Sequence, residues 1–140
     1  MTAKVLLVDD SSTALLMGET VFKEHTGYEV VTAHDGAEGL QKALNEKPDL
    51  ILLDVVMPKM DGFAACQEMR KHDCLKRVPI VMVTSRGEPR NVEEGYRSGC
   101  NAYLTKPINA HELLEVVHMF LATDGQSSRA AAVSSDGKDK

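Results

Sequence analysis

Acidic side chains follow two apolar runs of this 140-residue sequence, at the points where buried strands would end. Asp9 and Asp10 follow the run at residues 5–8, and Asp54 follows the run at residues 50–53. Carboxylates that converge repel one another, so either the pKa of one rises or a cation binds between them. A cluster of carboxylate oxygens suits a hard cation such as Mg²⁺. A carboxylate in such a site can also act as a nucleophile toward a phosphoryl group.

Hydroxyl and ammonium groups follow two further apolar runs. Thr84 and Ser85 follow the run at residues 80–83, and Lys106 and Pro107 come shortly after the last run, at residues 102–104. Lys106 would neutralise charge on a transferring group, and the Thr84 hydroxyl would donate a hydrogen bond to it. The peptide bond before Pro107 is of the kind in which cis isomers occur. Taken singly, Asp54 fits a turn aspartate and Lys106 a surface lysine, but their joint placement at strand ends favours a shared site.

The apolar runs themselves predict the scaffold. Three of the five runs are continuously apolar, as strands buried on both faces of a parallel sheet require, whereas the more mixed run YEVVTA at residues 28–33 suits an edge. Strand and helix patterns alternate five times, which predicts right-handed crossovers and helices on both faces of a parallel sheet. In such α/β folds, ligands bind beyond the carboxyl ends of the strands, where the polar residues lie.

Start signals place the helices between these runs. Ser11 or Ser12 is predicted to cap the first helix, and Asp35 and Asp61 the next two. The segment at residues 89–97 carries the weakest helical pattern because it is highly charged and contains glycine. The last helix has a cap at Asn109 and one apolar stripe, formed by Leu113, Val116, Val117, Phe120 and Leu121.

Composition narrows the functional class. The net charge of −5 does not indicate a nucleic-acid-binding face. Cys66, Cys74 and Cys100 form no CxxC pair, which favours a reduced cytosolic setting. No apolar stretch approaches the roughly 20 residues needed to span a bilayer, and no signal peptide is visible, so a cytoplasmic protein is expected. Residues 1–122 are predicted to form the folded domain, and the small and polar residues 123–140 a flexible tail or the start of a linker.

Four segments together resemble a known family. VLLVDD, LILLDVVMP with a following DG, VMVTS and YLTKP closely resemble the receiver domain of two-component response regulators, in order and spacing, from residue 3 to residue 122. The resemblance implies the flavodoxin-like or CheY-like fold, a doubly wound five-stranded parallel sheet of order 2-1-3-4-5 flanked by five helices. It implies that Asp54 is the phosphoacceptor and that Asp9, Asp10, Asp54 and the backbone carbonyl of Val56 hold Mg²⁺.

The resemblance also implies a switch. Lys106 would pair with the phosphoryl group, Pro107 would follow a cis bond, and Thr84 would move to hydrogen-bond the phosphoryl oxygen while Tyr103 turns inward. The surface of the fourth helix, fifth strand and fifth helix would change for a downstream protein. A sensor histidine kinase or phosphotransfer protein would supply the phosphoryl group. The implied protein is a monomer or a phosphorylation-dependent dimer that contacts neither nucleic acid nor membrane directly.

Two positions depart from the pattern of the stand-alone receivers. Val56 stands where many members carry a polar side chain that positions hydrolytic water, so a long-lived phosphoaspartate is predicted. Arg86 stands two residues after Thr84, where contact with the phosphoryl group and contact with a partner both remain open.

Other functions fit the sequence less well. A haloacid-dehalogenase-type enzyme has DxD after its first strand, whereas this chain has Asp9-Asp10-Ser11, so turnover of an external substrate is not expected. A nucleotide or flavin carrier is disfavoured because the turn DDSST lacks GxGxxG. A constitutive scaffold is disfavoured because the acids, Thr84 and Lys106 are intact. A single-domain regulator is favoured over a receiver excised from a longer regulator, with which the tail is also compatible.

Overall fold

A computed structural model describes residues 3–57, 60–85, 89–106 and 109–121 of the chain. Within these ranges five strands alternate with five α-helices, and a short 3₁₀ helix at Asp73–Leu75 precedes the fourth strand. The strands are β1 (Lys4–Val8), β2 (Glu29–Ala33), β3 (Leu50–Asp54), β4 (Ile80–Ser85) and β5 (Ala102–Lys106). The helices are α1 (Ser12–His25), α2 (Gly36–Glu46), α3 (Gly62–Arg70), α4 (Pro89–Ser98) and α5 (Ala110–Leu121).

The strands form one parallel sheet in the order β2-β1-β3-β4-β5. This order confirms the predicted fold class and the edge position of the mixed run, now β2. Its register aligns the carboxyl ends of the strands: Val8 pairs with Leu53, Asp54 with Val83, and Ser85 with Lys106.

One face of the sheet packs against α2 and α3. Leu6 and Val8 of β1, with Ile51 and Leu53 of β3, point to this face because alternate strand residues share a side. The same core contains side chains of α2 and α3, among them Ala43, Ala65, Cys66 and Met69. Packing on this face places the start of α3 next to the end of β3, where Asp54 lies.

The opposite face packs against α1. Leu7 points to this side, and a Cβ built on Gly18 of α1 would lie 2.8 Å from its Cδ1 atom. Leu15 and Phe22 of α1 are buried. Helices therefore cover both faces of the sheet, as the predicted doubly wound fold requires.

Local caps fix where helices begin. The Ser11 side chain caps α1 by accepting a hydrogen bond from the Ala14 N–H at 3.2 Å. Asp35 caps α2 and Asp61 caps α3 in the same way, at 2.8 Å and 2.9 Å. These caps confirm the predicted starts and resolve the choice between Ser11 and Ser12.

Helix α5 belongs to a second compact unit, separate from the one that contains the sheet. The Asn109 side chain caps the helix by accepting a hydrogen bond from the Glu112 N–H at 2.7 Å. Leu113, Val117 and Phe120 of the predicted stripe are buried. The predicted boundary at residue 122 and the predicted tail at residues 123–140 lie outside the described residues.

The described residues also bear on the predictions about membrane spans and cysteines. None of the described helices is long and apolar enough to cross a bilayer. Cys66, Cys74 and Cys100 are all free thiols, the first and last of them buried.

Candidate functional site

Asp9, Asp10 and Asp54 meet at the carboxyl edge of the sheet. One carboxylate oxygen from each lies within 4.8 Å of the others. Asp54 is the last residue of β3, and Asp9 follows β1, held there by its N–H, which donates to the Ala33 carbonyl at 3.1 Å. The neighbouring strands β1 and β3 thus bring together acids that are 45 residues apart in sequence.

The three carboxylates differ in their access to solvent. Asp54 is 3% exposed and Asp9 is 9% exposed, whereas Asp10 lies in the open. One Asp9 oxygen, Oδ1, accepts a hydrogen bond from the Ser11 N–H at 2.9 Å, so the residue that caps α1 is linked to the site. The cluster is therefore an enclosed pair of carboxylates with a third at its rim.

Lys106, the last residue of β5, reaches the same cluster. Its Nζ lies 3.2 Å from Asp54 Oδ1 and 3.7 Å from Asp9 Oδ2, and its side chain is 40% exposed. Because β5 is two strands away from β3, this contact depends on the long lysine side chain spanning the end of β4. The ammonium group touches the two enclosed carboxylates at once.

The environment makes Asp54 hard to ionise. Burial is the main cause, and the nearby Asp9 carboxylate adds to it; together they raise the pKa of Asp54 to about 6, although Lys106 acts in the opposite direction. Burial alone would lower the pKa of Lys106, but the carboxylates of Asp54 and Asp9 outweigh it, so the pKa of Lys106 is raised. At neutral pH the site therefore contains an ionised Asp54 and a protonated Lys106.

The donor set suits a hard divalent cation. All three groups are carboxylates, and the Asp10 side leaves solvent access, which matches the preference of Mg²⁺ for a few carboxylates with retained water. Among the described residues, one ammonium group lies beside three acids, and the Asp9 carboxylate acts to raise the pKa of Asp54, against the opposing effect of Lys106. A cation would relieve this repulsion.

The loop after Asp54 depends on Gly62, whose close packing the sequence pattern does not predict. The Gly62 N–H donates to the Val55 carbonyl at 2.8 Å, and the Val55 N–H donates to the Val83 carbonyl at 2.9 Å. A Cβ on Gly62 would collide with the Asp54 carbonyl oxygen and lie 2.8 Å from Val55 Cα. In the sequence, the Asp61-Gly62 pair predicts only the start of a helix.

Val56 turns away from the core. It is 64% exposed, whereas its neighbours Val55 and Met57 are 4% and 8% exposed. The residue two positions after Asp54 thus presents an apolar side chain to solvent.

Thr84 and Tyr103 lie in adjacent strands near the site. Thr84 of β4 is 2% exposed and pairs in register with Thr105, one residue before Lys106. The Tyr103 ring packs against Gly95 of α4, and burial raises the pKa of its hydroxyl to about 12. Of the predicted site residues, Pro107 and Arg86 lie outside the described residues.

Comparisons with known proteins agree with this geometry. The sequence profile of the response regulator receiver domain matches residues 5–118. Protein PilH of Pseudomonas aeruginosa is 35% identical over 120 residues, covering 86% of this chain and 98% of PilH. The chain also matches transcriptional regulators of which it spans about half the length.

Solved structures give the same result. The chemotaxis protein CheY4 of Vibrio cholerae superposes with a TM-score of 0.80 at 39% identity, covering 84% of this chain and 98% of that one. The receiver domain of sensor histidine kinase PA1611 from Pseudomonas aeruginosa has a TM-score of 0.77 at 30% identity, covering 84% of this chain and 96% of that one. That structure has a magnesium ion coordinated in its active site cleft. The strand order, the acidic edge and these matches lead to one conclusion: the chain belongs to the family of response regulator receiver domains.

Proposed function

We propose that this receiver domain accepts a phosphoryl group on Asp54 and relays the modification to a protein partner. The observation that carries the proposal is the contact between Lys106 Nζ and Asp54 Oδ1 at 3.2 Å, beside the enclosed Asp9. A turn aspartate or a helix cap has no need of a buried position with a lysine directed at it. An acceptor of a highly charged group needs both.

Mg²⁺ fits this donor set, and Asp9, Asp10, Asp54 and the Val56 backbone carbonyl would hold it. When bound, the ion would neutralise charge on the phosphoryl oxygens. The magnesium ion in the active site cleft of the PA1611 receiver domain supports this assignment by likeness.

Asp54 then acts as the nucleophile. One of its carboxylate oxygens forms the new P–O bond while the bond between phosphorus and the donor atom breaks, and the donor leaves with that electron pair. A sensor histidine kinase or phosphotransfer protein is the proposed donor. Lys106, released from the carboxylate it contacts, pairs with the phosphoryl oxygens.

The signal passes to the strand ends beside the acceptor. A phosphoryl group adds nearly two negative charges and three acceptor oxygens, and the Thr84 hydroxyl and Lys106 ammonium are donors on neighbouring strands. A rearrangement of these two donors would change the position of Tyr103 and the surface of α4, β5 and α5, as the family resemblance implies. The changed surface would then bind a downstream protein partner.

We further infer that the domain turns over no external substrate and works in the cytoplasm. Exposed and apolar Val56 offers no hydrogen bond to an attacking water, which favours a lasting adduct over rapid release. Three free thiols are consistent with a reducing compartment.

Incubation with a small phosphodonor tests the proposal. With Mg²⁺, the native chain should gain one acid-stable, base-labile phosphoryl group, and chelation or Asp54→Asn should abolish it. Asp73→Asn is the matched control because the Asp73 side chain is 98% exposed and belongs to the short 3₁₀ helix that precedes β4. Labelling of Asp54→Asn equal to that of the native chain would refute Asp54 as the acceptor.

A further inference from the structure

The phenol of Tyr103 occupies a niche in α4 that exists because residue 95 has no side chain. A Cβ built on Gly95 would collide with the Tyr103 hydroxyl oxygen and would lie 2.5 Å from Cε2 and 2.7 Å from Cζ. Real Cβ atoms do not approach this closely, so any larger residue at position 95 would exclude the ring from its present place. Glycine in a helix interior is also a poorer helix former than alanine.

The niche receives the Tyr103 hydroxyl without a hydrogen bond. Within the described part of the chain, this oxygen is buried and has no partner of acceptable geometry. The nearby Gly95 carbonyl already accepts from the Ser98 hydroxyl at 2.8 Å, the Gly99 N–H at 3.2 Å and the Cys100 N–H at 3.1 Å.

A second aromatic ring flanks the niche. The ring centroids of Tyr96 and Tyr103 are 5.7 Å apart at an interplanar angle of 47°, within the range of favourable aromatic pairs. Tyr96 is 52% exposed, so one side of its ring contacts Tyr103 while the other faces solvent. Steric room and ring packing thus favour the buried phenol, while the unpartnered hydroxyl opposes it.

We propose that Gly95 is the positioning residue of Tyr103, admitting its phenol into α4, and that the Tyr96 ring holds the phenol there. The balance between these contacts and the unpartnered hydroxyl sets how often Tyr103 leaves the niche. A regulatory role for these contacts rests on the proposed function, in which Tyr103 responds to the state of Asp54. The contacts of Tyr103 with Gly95 and Tyr96 do not themselves depend on that function.

Fluorine NMR of the full chain labelled with fluorotyrosine tests the device without any phosphodonor. The chain has three tyrosines, so single Tyr→Phe variants assign the signals. Gly95→Ala should move the Tyr103 signal from a buried to a solvent-exposed position, as judged by its solvent isotope shift, and Tyr96→Ala should move it part of the way. Gly27→Ala is the matched control, because a Cβ there meets nothing within 4 Å. An unchanged Tyr103 signal in Gly95→Ala would overturn the proposal.

A double-mutant cycle covers the case in which Gly95→Ala folds poorly. With the ring removed by Tyr103→Ala, the clash is absent and alanine is the better helix former, so Gly95→Ala should raise the melting temperature. In the native background its effect should be clearly less favourable. Equal effects in both backgrounds would show that Gly95 does not act on Tyr103. If the NMR result holds while Asp54 takes no label, the niche stands and the proposed function fails.

Discussion

Asp54 is an acid that the fold makes costly to ionise. Its raised pKa of about 6 means that the folded chain holds this proton more tightly than the unfolded chain does, where the value is 3.8. The contribution of Asp54 to the free energy of unfolding therefore falls as the pH rises from about 4 to about 6, and it stays lowered above that. Each pKa unit corresponds to about 1.4 kcal/mol, so the full shift lowers the stability at pH 7 by at most about 3 kcal/mol.

Removing this charge should stabilise the metal-free protein at neutral pH. Asp54→Asn should raise the free energy of unfolding by about 1–3 kcal/mol at pH 7 in the presence of a chelator, because a charge is no longer buried and no longer repels Asp9. The gain should shrink toward pH 4, where the native carboxyl is protonated. Denaturant titrations at both pH values measure it, and an equal gain at both would contradict the raised pKa.

Val56 is the residue that should set the lifetime of the adduct. Val56→Asn places an amide where an exposed valine now stands, and the amide can hold a water for attack on phosphorus. The variant should lose its phosphoryl group several-fold faster than the native chain, measured as phosphate release after removal of donor. Leu16→Asn, at an equally exposed apolar position of α1, should leave the rate unchanged. A Val56→Asn rate equal to the native rate would exclude this role.

The Tyr103 hydroxyl should weaken the fold. An unpartnered buried polar group costs about 1–3 kcal/mol, and Tyr103→Phe removes it while keeping the ring in its niche. The variant should therefore melt above the native chain. Tyr96→Phe, which alters a half-exposed ring, should change the melting temperature far less. A lower melting temperature for Tyr103→Phe would mean that the hydroxyl has a partner after all.

At the scale of elements, the start of α3 holds the acceptor in place. Gly62→Ala should destabilise the chain by about 2 kcal/mol or more, because its Cβ collides with the backbone of Asp54 and Val55, which strand pairing holds rigidly. It should also slow labelling of Asp54 because the carboxylate moves relative to Lys106. Gly27→Ala again serves as the control, because a Cβ there meets nothing within 4 Å. Native stability in Gly62→Ala would show that this backbone yields easily.

What the sequence predicted about the elements was local. Continuous apolar runs identified β1, β3 and β4, and Asp35 with Glu38 three residues later identified the start of α2. The acidic edge also followed, because parallel strands put their carboxyl ends on one side.

The contacts that the sequence did not predict join segments that are distant in the chain. The Arg70 guanidinium donates hydrogen bonds to the carbonyls of Leu75, Val78 and Gly99 and to the Asn101 side chain, tying α3 to the approaches of β4 and β5. An arginine at a helix end carries no sign of these partners. Gly95 likewise gave no sign of Tyr103, since their contact depends on how α4 lies on β5.

At the scale of the whole molecule, the site concentrates negative charge in a chain that is already acidic. The net charge is −5, and among the residues that the structure describes three carboxylates converge on one edge with one nearby ammonium group. Any cation will screen the overall charge, but only a site of fixed geometry will select a divalent ion at low concentration. The two effects are separable by experiment.

Mg²⁺ should therefore stabilise the native fold beyond the effect of salt. A ligand that binds only the folded state adds RT ln(1 + [L]/Kd), about 2.7 kcal/mol at one hundred times Kd. Melting curves at constant ionic strength, with sodium replacing magnesium in the control, should show the rise in the native chain. Asp54→Asn should lose most of this rise even though it is the more stable protein without metal. Asp73→Asn changes the net charge by the same unit at an exposed position, so it should keep the full rise. An equal magnesium effect in both variants would mean that the ion acts on overall charge, and the carboxylate edge would then not be a metal site.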